Sequence, residues 1–163
     1  MKALIVYASW FGHNRTIARA LAAEMSRLGF FVACAPVGRV KPAETMGFDL
    51  VVMGTYSHGT HASRRMRAFC RAIPQHRFDR LSFAVFGTQS ASRRAHGEPC
   101  GVDELLGCLA ERRAEPAVAP MRIALRDNEE WWPTTRIGPE DQRAIQSFAA
   151  ELWEAVMPEP VVG

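Results

Sequence analysis

No stretch of this 163-residue sequence is long or apolar enough to cross a bilayer as a helix, and no Gly/Ser-rich or Pro-rich linker divides it. These absences argue against a membrane span and a multidomain chain. With 48% hydrophobic residues, residues 1–163 are expected to form a single domain with a full core. There is no internal repeat. Lys2 followed by Ala3–Val6 imitates the start of a secretory signal, but Gly12–Arg15 interrupts it before an apolar core develops. Cys34, Cys70, Cys100 and Cys108 include no CxxC pair and no zinc spacing, which predicts buried free thiols and a cytoplasmic location. A GxGxxG for a dinucleotide is missing, as is the acidic cluster after the first apolar run that a phosphoacceptor domain needs. Cys34 to Arg39 is one residue too short for a phosphatase nucleophile loop.

What is present is an alternation of strands and helices. Leu4–Val6, Phe30–Ala33, Leu50–Met53 and Phe83–Phe86 are short continuous apolar runs, the pattern of parallel strands buried on both faces. Between them run amphipathic stripes: Ile17, Leu21, Met25 and Leu28; Met66, Phe69, Cys70 and Ile73; Leu105, Leu106 and Leu109. The last helix has Pro139 at its first position, Glu140 and Asp141 in its first turn, and a stripe of Ile145, Phe148, Leu152 and Val156. The second crossover, Pro42 to Met46, allows about one helical turn. A fifth strand falls within Ala117–Leu125, and its Pro120 predicts a sheet edge, because proline cannot donate to a central ladder.

The most informative segment joins the first strand to a helical stretch opening at Arg15 and Thr16. A strand, a tight polar loop and a helix N-terminus in this order make an anion pocket, since the free N–H groups and the helix dipole both face the loop. The run Ile5-Val6-Tyr7-Ala8-Ser9-Trp10-Phe11-Gly12-His13 resembles the phosphate loop of the flavodoxins; Asn14 stands where that family has Thr, and Ala18 and Leu21 match again. The resemblance extends to about Val156 and implies a short-chain, flavodoxin-like three-layer α/β sandwich: a five-stranded parallel sheet of order 2-1-3-4-5 with helices on both faces. It implies flavin mononucleotide (FMN) as cofactor. Ser9, Trp10, Phe11, Gly12, His13 and Asn14 would surround the phosphate, with Arg15 one residue beyond. Thr55, Tyr56, Ser57, His58 and Gly59 would meet the flavin ring, His58 at a common stacking position, while Thr88, Gln89 and Ser90 would meet its pyrimidine edge. Cys100, with Gly101, Asp103 and Leu105, looks like the family's opening of its fourth helix. No Tyr occurs from Ser90 to Pro99, where the family usually covers the outer flavin face, and Trp131 and Trp132 are a candidate replacement that can equally be packing residues.

Each feature has a plainer competitor. A single loop such as Ser9–Gly12 would be an ordinary turn before a helix cap; three suitable loops at one sheet end argue for a site. His58 and His61 have a spacing that metals use, yet no carboxylate or Cys stands near them in sequence, so a solvent-facing loop is expected and no metal site. No general acid or base is nominated, although His58, His61 and His96 are all available.

The charge is lopsided. Thr55 to Cys100 holds eight arginines against Asp79 and Glu98, whereas from Gly101 onward twelve acidic residues oppose six arginines. Guanidinium groups near a flavin favour its anionic reduced form, so a less reducing cofactor than in typical flavodoxins is expected. The same surface would attract a redox partner protein with an acidic docking surface, or an anionic small-molecule substrate; nucleic acid ranks lower. The plain alternative is that these arginines solvate the helix over Met66–Ile73. Three functions follow: an FMN-binding electron carrier; an FMN-dependent oxidoreductase of flavodoxin type acting on a quinone or protoporphyrinogen-like substrate; or a cofactor-free binding module.

Overall fold

The computed structural model describes residues 1–126 and 136–157. Five parallel strands, β1 (Lys2–Tyr7), β2 (Phe31–Pro36), β3 (Leu50–Thr55), β4 (Ser82–Ser90) and β5 (Met121–Leu125), lie in the spatial order β2-β1-β3-β4-β5, the order expected from the sequence. The helices are α1 (His13–Arg27), α2 (Arg64–Ala72), α3 (Ala91–Ala95), α4 (Gly101–Glu111) and α5 (Pro139–Val156). A small antiparallel hairpin, Ser57–His58 with His61–Ala62, follows β3.

Strand alternation divides the core into two layers. Leu4, Val6, Val51, Met53, Phe83 and Val85 face α2 and α4, and Ala3, Ile5, Tyr7, Leu50, Val52, Ala84 and Phe86 face α1 and α5. Because both faces are covered, the central strands read as uninterrupted apolar runs. The edges behave differently: β2 is only partly covered, and Phe31 is 74% exposed.

Several boundaries differ from the sequence reading. α1 starts at His13 rather than Arg15, since Gly12 takes a left-handed turn (φ 89°) that any other residue adopts only with strain, and the helix begins directly after it. Pro120 sits one residue before β5, so the edge strand keeps all its N–H groups. In α4 the buried stripe is Val102, Leu105, Cys108 and Leu109, with Leu106 at its margin; one further turn of periodicity brings in Val102 and Cys108. The second crossover is a 3-10 turn at Pro42–Gly47, as short as expected, and α3 is an extra helix with no apolar stripe to announce it.

Arginines hold several joints together. Arg112 reaches across to the end of α2, donating to the carbonyls of Arg71 (2.6 Å) and Ile73 (2.5 Å), with its guanidinium 4.6 Å over the Phe78 ring. Arg77 donates to the carbonyls of Thr45, Met46 and Phe48. At the start of α4 the Cys100 N–H donates to Asp103 (2.7 Å), and Arg122 of β5 grips the same carboxylate with two N–H groups at 2.7 and 3.1 Å. The Arg122 hydrogen bond holds Asp103 below the usual carboxylate range. All four cysteines are free, and burial pushes the Cys70 thiol up to about 12, which leaves it inert as a nucleophile. None of the described helices is long and apolar enough to cross a membrane.

Two outcomes follow for stability. A methyl group on Gly101 would stand 2.7 Å from the Tyr56 carbonyl oxygen and 2.9 Å from the Ala62 Cα, both backbone atoms that cannot swing aside. Gly101→Ala should therefore cost about 1–3 kcal/mol, read as a lower melting temperature. Asp103 has a depressed folded-state pKa, so its contribution is present above the ordinary aspartate value and is lost as pH falls through the lower folded value. Arg122→Gln should move the acid-unfolding midpoint to higher pH, measured by circular dichroism; an unchanged midpoint would show that the pair adds nothing to acid stability.

Candidate functional site

A cleft of about 350 Å³ opens where the carboxyl ends of the strands meet the loops. The loop after β1 contributes Ser9, Trp10, Phe11, His13 and Asn14; the hairpin contributes Tyr56, Ser57, His58 and Gly59; the end of β4 contributes Thr88, Gln89 and Ser90. Arg93 and Leu125 complete the wall. Twelve of the fifteen site residues named from the sequence thus share one cavity. Gly12, Thr55 and Cys100 do not line it. Gly12 shapes the turn beneath, and Thr55 is fully buried, its hydroxyl accepting from the Ser63 N–H (2.9 Å) and donating to the Tyr56 carbonyl (2.9 Å). Cys100 is a buried cap of α4 whose sulfur meets Arg122 at 3.2 Å.

At the α1 end, the opening N–H groups of the helix have no acceptor within it. The loop is braced from inside: the Ser9 hydroxyl accepts from the Arg15 N–H (3.3 Å), and the Thr16 hydroxyl donates to the Gly12 carbonyl (3.0 Å). Asn14 is 1% exposed and donates its side-chain N–H to the Ala8 carbonyl at 3.0 Å, so the residue that replaces threonine ties the loop to β1. Its Oδ1 is buried without a partner. His13, the first residue of α1, is 6% exposed, and neither of its ring nitrogens has a partner. Orphaned buried polar atoms cost about 1–3 kcal/mol each, so three of them at one helix N-terminus mark this cleft wall as a place where water or a ligand completes them.

The hairpin is fastened at two points. The Ser57 hydroxyl donates to the Thr88 carbonyl (2.9 Å) and accepts from the Gly101 N–H (3.0 Å), linking the β3 loop to β4 and to α4. Glu104 of α4 accepts from the Ala62 N–H (2.6 Å) and pairs with Arg67 (3.1 Å) and His61 (3.4 Å). Burial pushes the Glu104 carboxyl up, but these partners outweigh it and the net shift is downward. His61 is therefore turned to Glu104, while His58 lines the cleft; no group of three His, Cys, Asp or Glu suited to a metal occurs among the described residues.

Rings gather at the mouth. Trp10 is 67% exposed and lies 6.2 Å from Phe11, 5.9 Å from Tyr56 and 6.5 Å from His58 between ring centroids; the Trp10 and His58 planes are within 12° of parallel. On the opposite rim, Ser90 caps α3 by accepting from the Arg93 N–H (3.3 Å), and Gln89 donates to the Glu98 carbonyl (2.9 Å). The basic stretch does not encircle the cleft. Of its eight arginines Arg93 alone lines it, paired to Glu98 at 3.0 Å; Arg64, Arg65 and Arg71 are exposed on α2, Arg67 holds Glu104 and Arg77 caps a turn. Arg93 and Leu125 were missed as lining residues. A signal existed for Arg93, which follows the Thr88–Ser90 loop by three residues; Leu125 becomes a wall only through strand pairing, where it stands opposite Ser90. Trp131 and Trp132 lie outside the described residues.

No known family profile matches the sequence, and no curated protein matches it significantly. Solved structures do. Oxidised flavodoxin 1 of Bacillus cereus superimposes with a TM-score of 0.74 at 19% identity, over 96% of this chain and 100% of that one. A flavodoxin of Streptococcus pneumoniae TIGR4 gives 0.74 at 21% identity, again over 96% and 100%. The rubredoxin oxygen:oxidoreductase of Desulfovibrio gigas gives 0.72 at 18% identity, covering 94% of this chain but 35% of that larger one. Sheet order, an uninterrupted β5 and end-to-end superposition on small flavodoxins agree: the chain has the short-chain flavodoxin fold.

Proposed function

We propose that this protein binds FMN in the cleft and works as an electron carrier. The observation that carries the reading is the unpartnered His13 ring and Asn14 Oδ1 at the N-terminus of α1. A phosphate set against the helix N-terminus would accept from the opening N–H groups and from the His13 ring, and the helix dipole would favour its charge. The Asn14 Oδ1 is an acceptor, which suits a ligand carrying hydroxyl groups as well as an anion. The residues that remain line an aromatic cavity suited to a flat ring, with Thr88, Gln89 and Ser90 supplying polar edges. When bound, FMN supplies the one- and two-electron chemistry. The chain's own residues hold the phosphate, stack the ring and limit water.

Three free buried thiols and the half-buried Cys34 support a reducing, cytoplasmic setting. Arg93 on the cleft rim, with Arg94 beside it on α3, favours an acidic docking surface on a redox partner or an anionic substrate. The electrostatic case for a less reducing flavin narrows to Arg93, the one arginine of that stretch that lines the cleft, and its pairing with Glu98 weakens it. A second reading, an oxidoreductase taking a quinone-like substrate, is favoured by one observation: α3 puts Arg93 on the rim where no Tyr, Phe or Trp stands between Ser90 and Pro99.

Titration with FMN and with riboflavin, which lacks the phosphate, tests the reading. Wild type should prefer FMN strongly. His13→Ala should weaken FMN about 10- to 100-fold, the equivalent of one hydrogen bond to a charged group, while leaving riboflavin nearly unchanged. Gly12→Asp, which adds strain at positive φ and a negative charge, should abolish FMN binding. Equal loss of both flavins in His13→Ala would remove the phosphate from the α1 N-terminus.

A further inference from the structure

Building on the FMN reading, we infer that Trp10 is the outer aromatic wall of the ring site, supplied by the phosphate loop itself. A conjugated ring in this cleft needs flat partners, and the rings lining it are Trp10, Phe11, Tyr56, His13 and His58. Trp10 is the largest of them, and among the described residues the other large exposed hydrophobics, Phe31 and Met46, lie around a separate hollow at the opposite strand ends. An indole left 67% in water forgoes most of the stabilisation its burial would bring, and on the cleft rim a flat ligand stacked on it would recover part of that.

The geometry names the opposing wall. Trp10 and His58 come from different loops, yet their planes are within 12° of parallel with ring centroids 6.5 Å apart, so both present flat faces in one orientation at the cleft mouth. His58 is held by its hairpin, which Ser57 and Glu104 fasten to β4 and α4. Among the described residues no hydrogen bond fastens the Trp10 side chain; it follows Ser9, precedes the left-handed Gly12 by two residues, and has the rings of Phe11, Tyr56 and His58 as neighbours. The hairpin side is thus tied by hydrogen bonds, and Trp10 by ring contacts. Across the cleft α3 offers no Tyr, Phe or Trp, and the Nδ1 of its flanking His96 is engaged with the Ser92 carbonyl at 2.7 Å.

The test uses the full chain, FMN and riboflavin, in wild type, Trp10→Phe and Trp10→Ala, reading affinity and the emission of the bound flavin. Because the indole is mostly exposed, its removal should leave the circular dichroism spectrum unchanged. Trp10→Ala should weaken both flavins by the same factor, about tenfold, and raise the emission of bound flavin, since stacking and quenching are lost together. Trp10→Phe should stay within about threefold of wild type. This pattern is distinct from that of His13→Ala, which discriminates between the two flavins. Unchanged affinity and unchanged quenching in Trp10→Ala would overturn the assignment while leaving the FMN reading intact; a wild-type protein that binds neither flavin would overturn both.

Discussion

The N-terminus of α1 is the constraint around which this structure is arranged. A helix that starts at the carboxyl end of a buried central strand presents its unsatisfied N–H groups to the loop before it, and a side chain, water or a ligand must complete them. The chain meets part of that demand internally. Ser9 accepts one N–H, Thr16 returns to Gly12, and Asn14 ties the loop to Ala8. His13 and the Asn14 oxygen are left over, and they lie on the wall of the cleft. The incompleteness of this end of the fold is the reason for reading it as a phosphate site.

The rest of the cleft depends on how rigidly the second loop is held against that end. Ser57 and Glu104 join the hairpin to β4 and α4 through backbone N–H and carbonyl groups, and Gly101 lets α4 approach closely enough for both. The consequence is a division of labour: Thr55, Ser57 and Cys100 shape the walls, whereas Tyr56, His58 and Trp10 form their surface. From the sequence Trp10 was expected at the phosphate, Thr55, Tyr56, Ser57 and His58 at the ring and Cys100 at the opening of the fourth helix, since composition and spacing carry no information about which way a loop residue turns.

What could be read from the sequence follows the same logic. The strand runs at Leu4–Val6, Leu50–Met53 and Phe83–Phe86 were legible because burial on both faces removes every polar alternative, whereas the sheet order came with the flavodoxin resemblance and with Pro120 pointing to an edge. The turn into α1 was legible from the order of strand, polar loop and helix, and Gly12 at positive φ makes that turn. Elements without an apolar signature were not: α3 has no buried residue, and the hairpin contains two residues per strand. The arginine-rich stretch was misleading in aggregate. Its members divide among helix ends, ion pairs and solvent, and long side chains of one charge do not reveal their destination in sequence.

The most direct test of this account is the visible spectrum of the purified protein after incubation with FMN and removal of the excess by gel filtration. A flavin absorption band that travels with the protein, shifted from that of free FMN, is the predicted result. A colourless protein would contradict it: the orphaned His13 and Asn14 would then be satisfied by something other than a flavin phosphate, and the fold would be serving as a binding module without a redox cofactor.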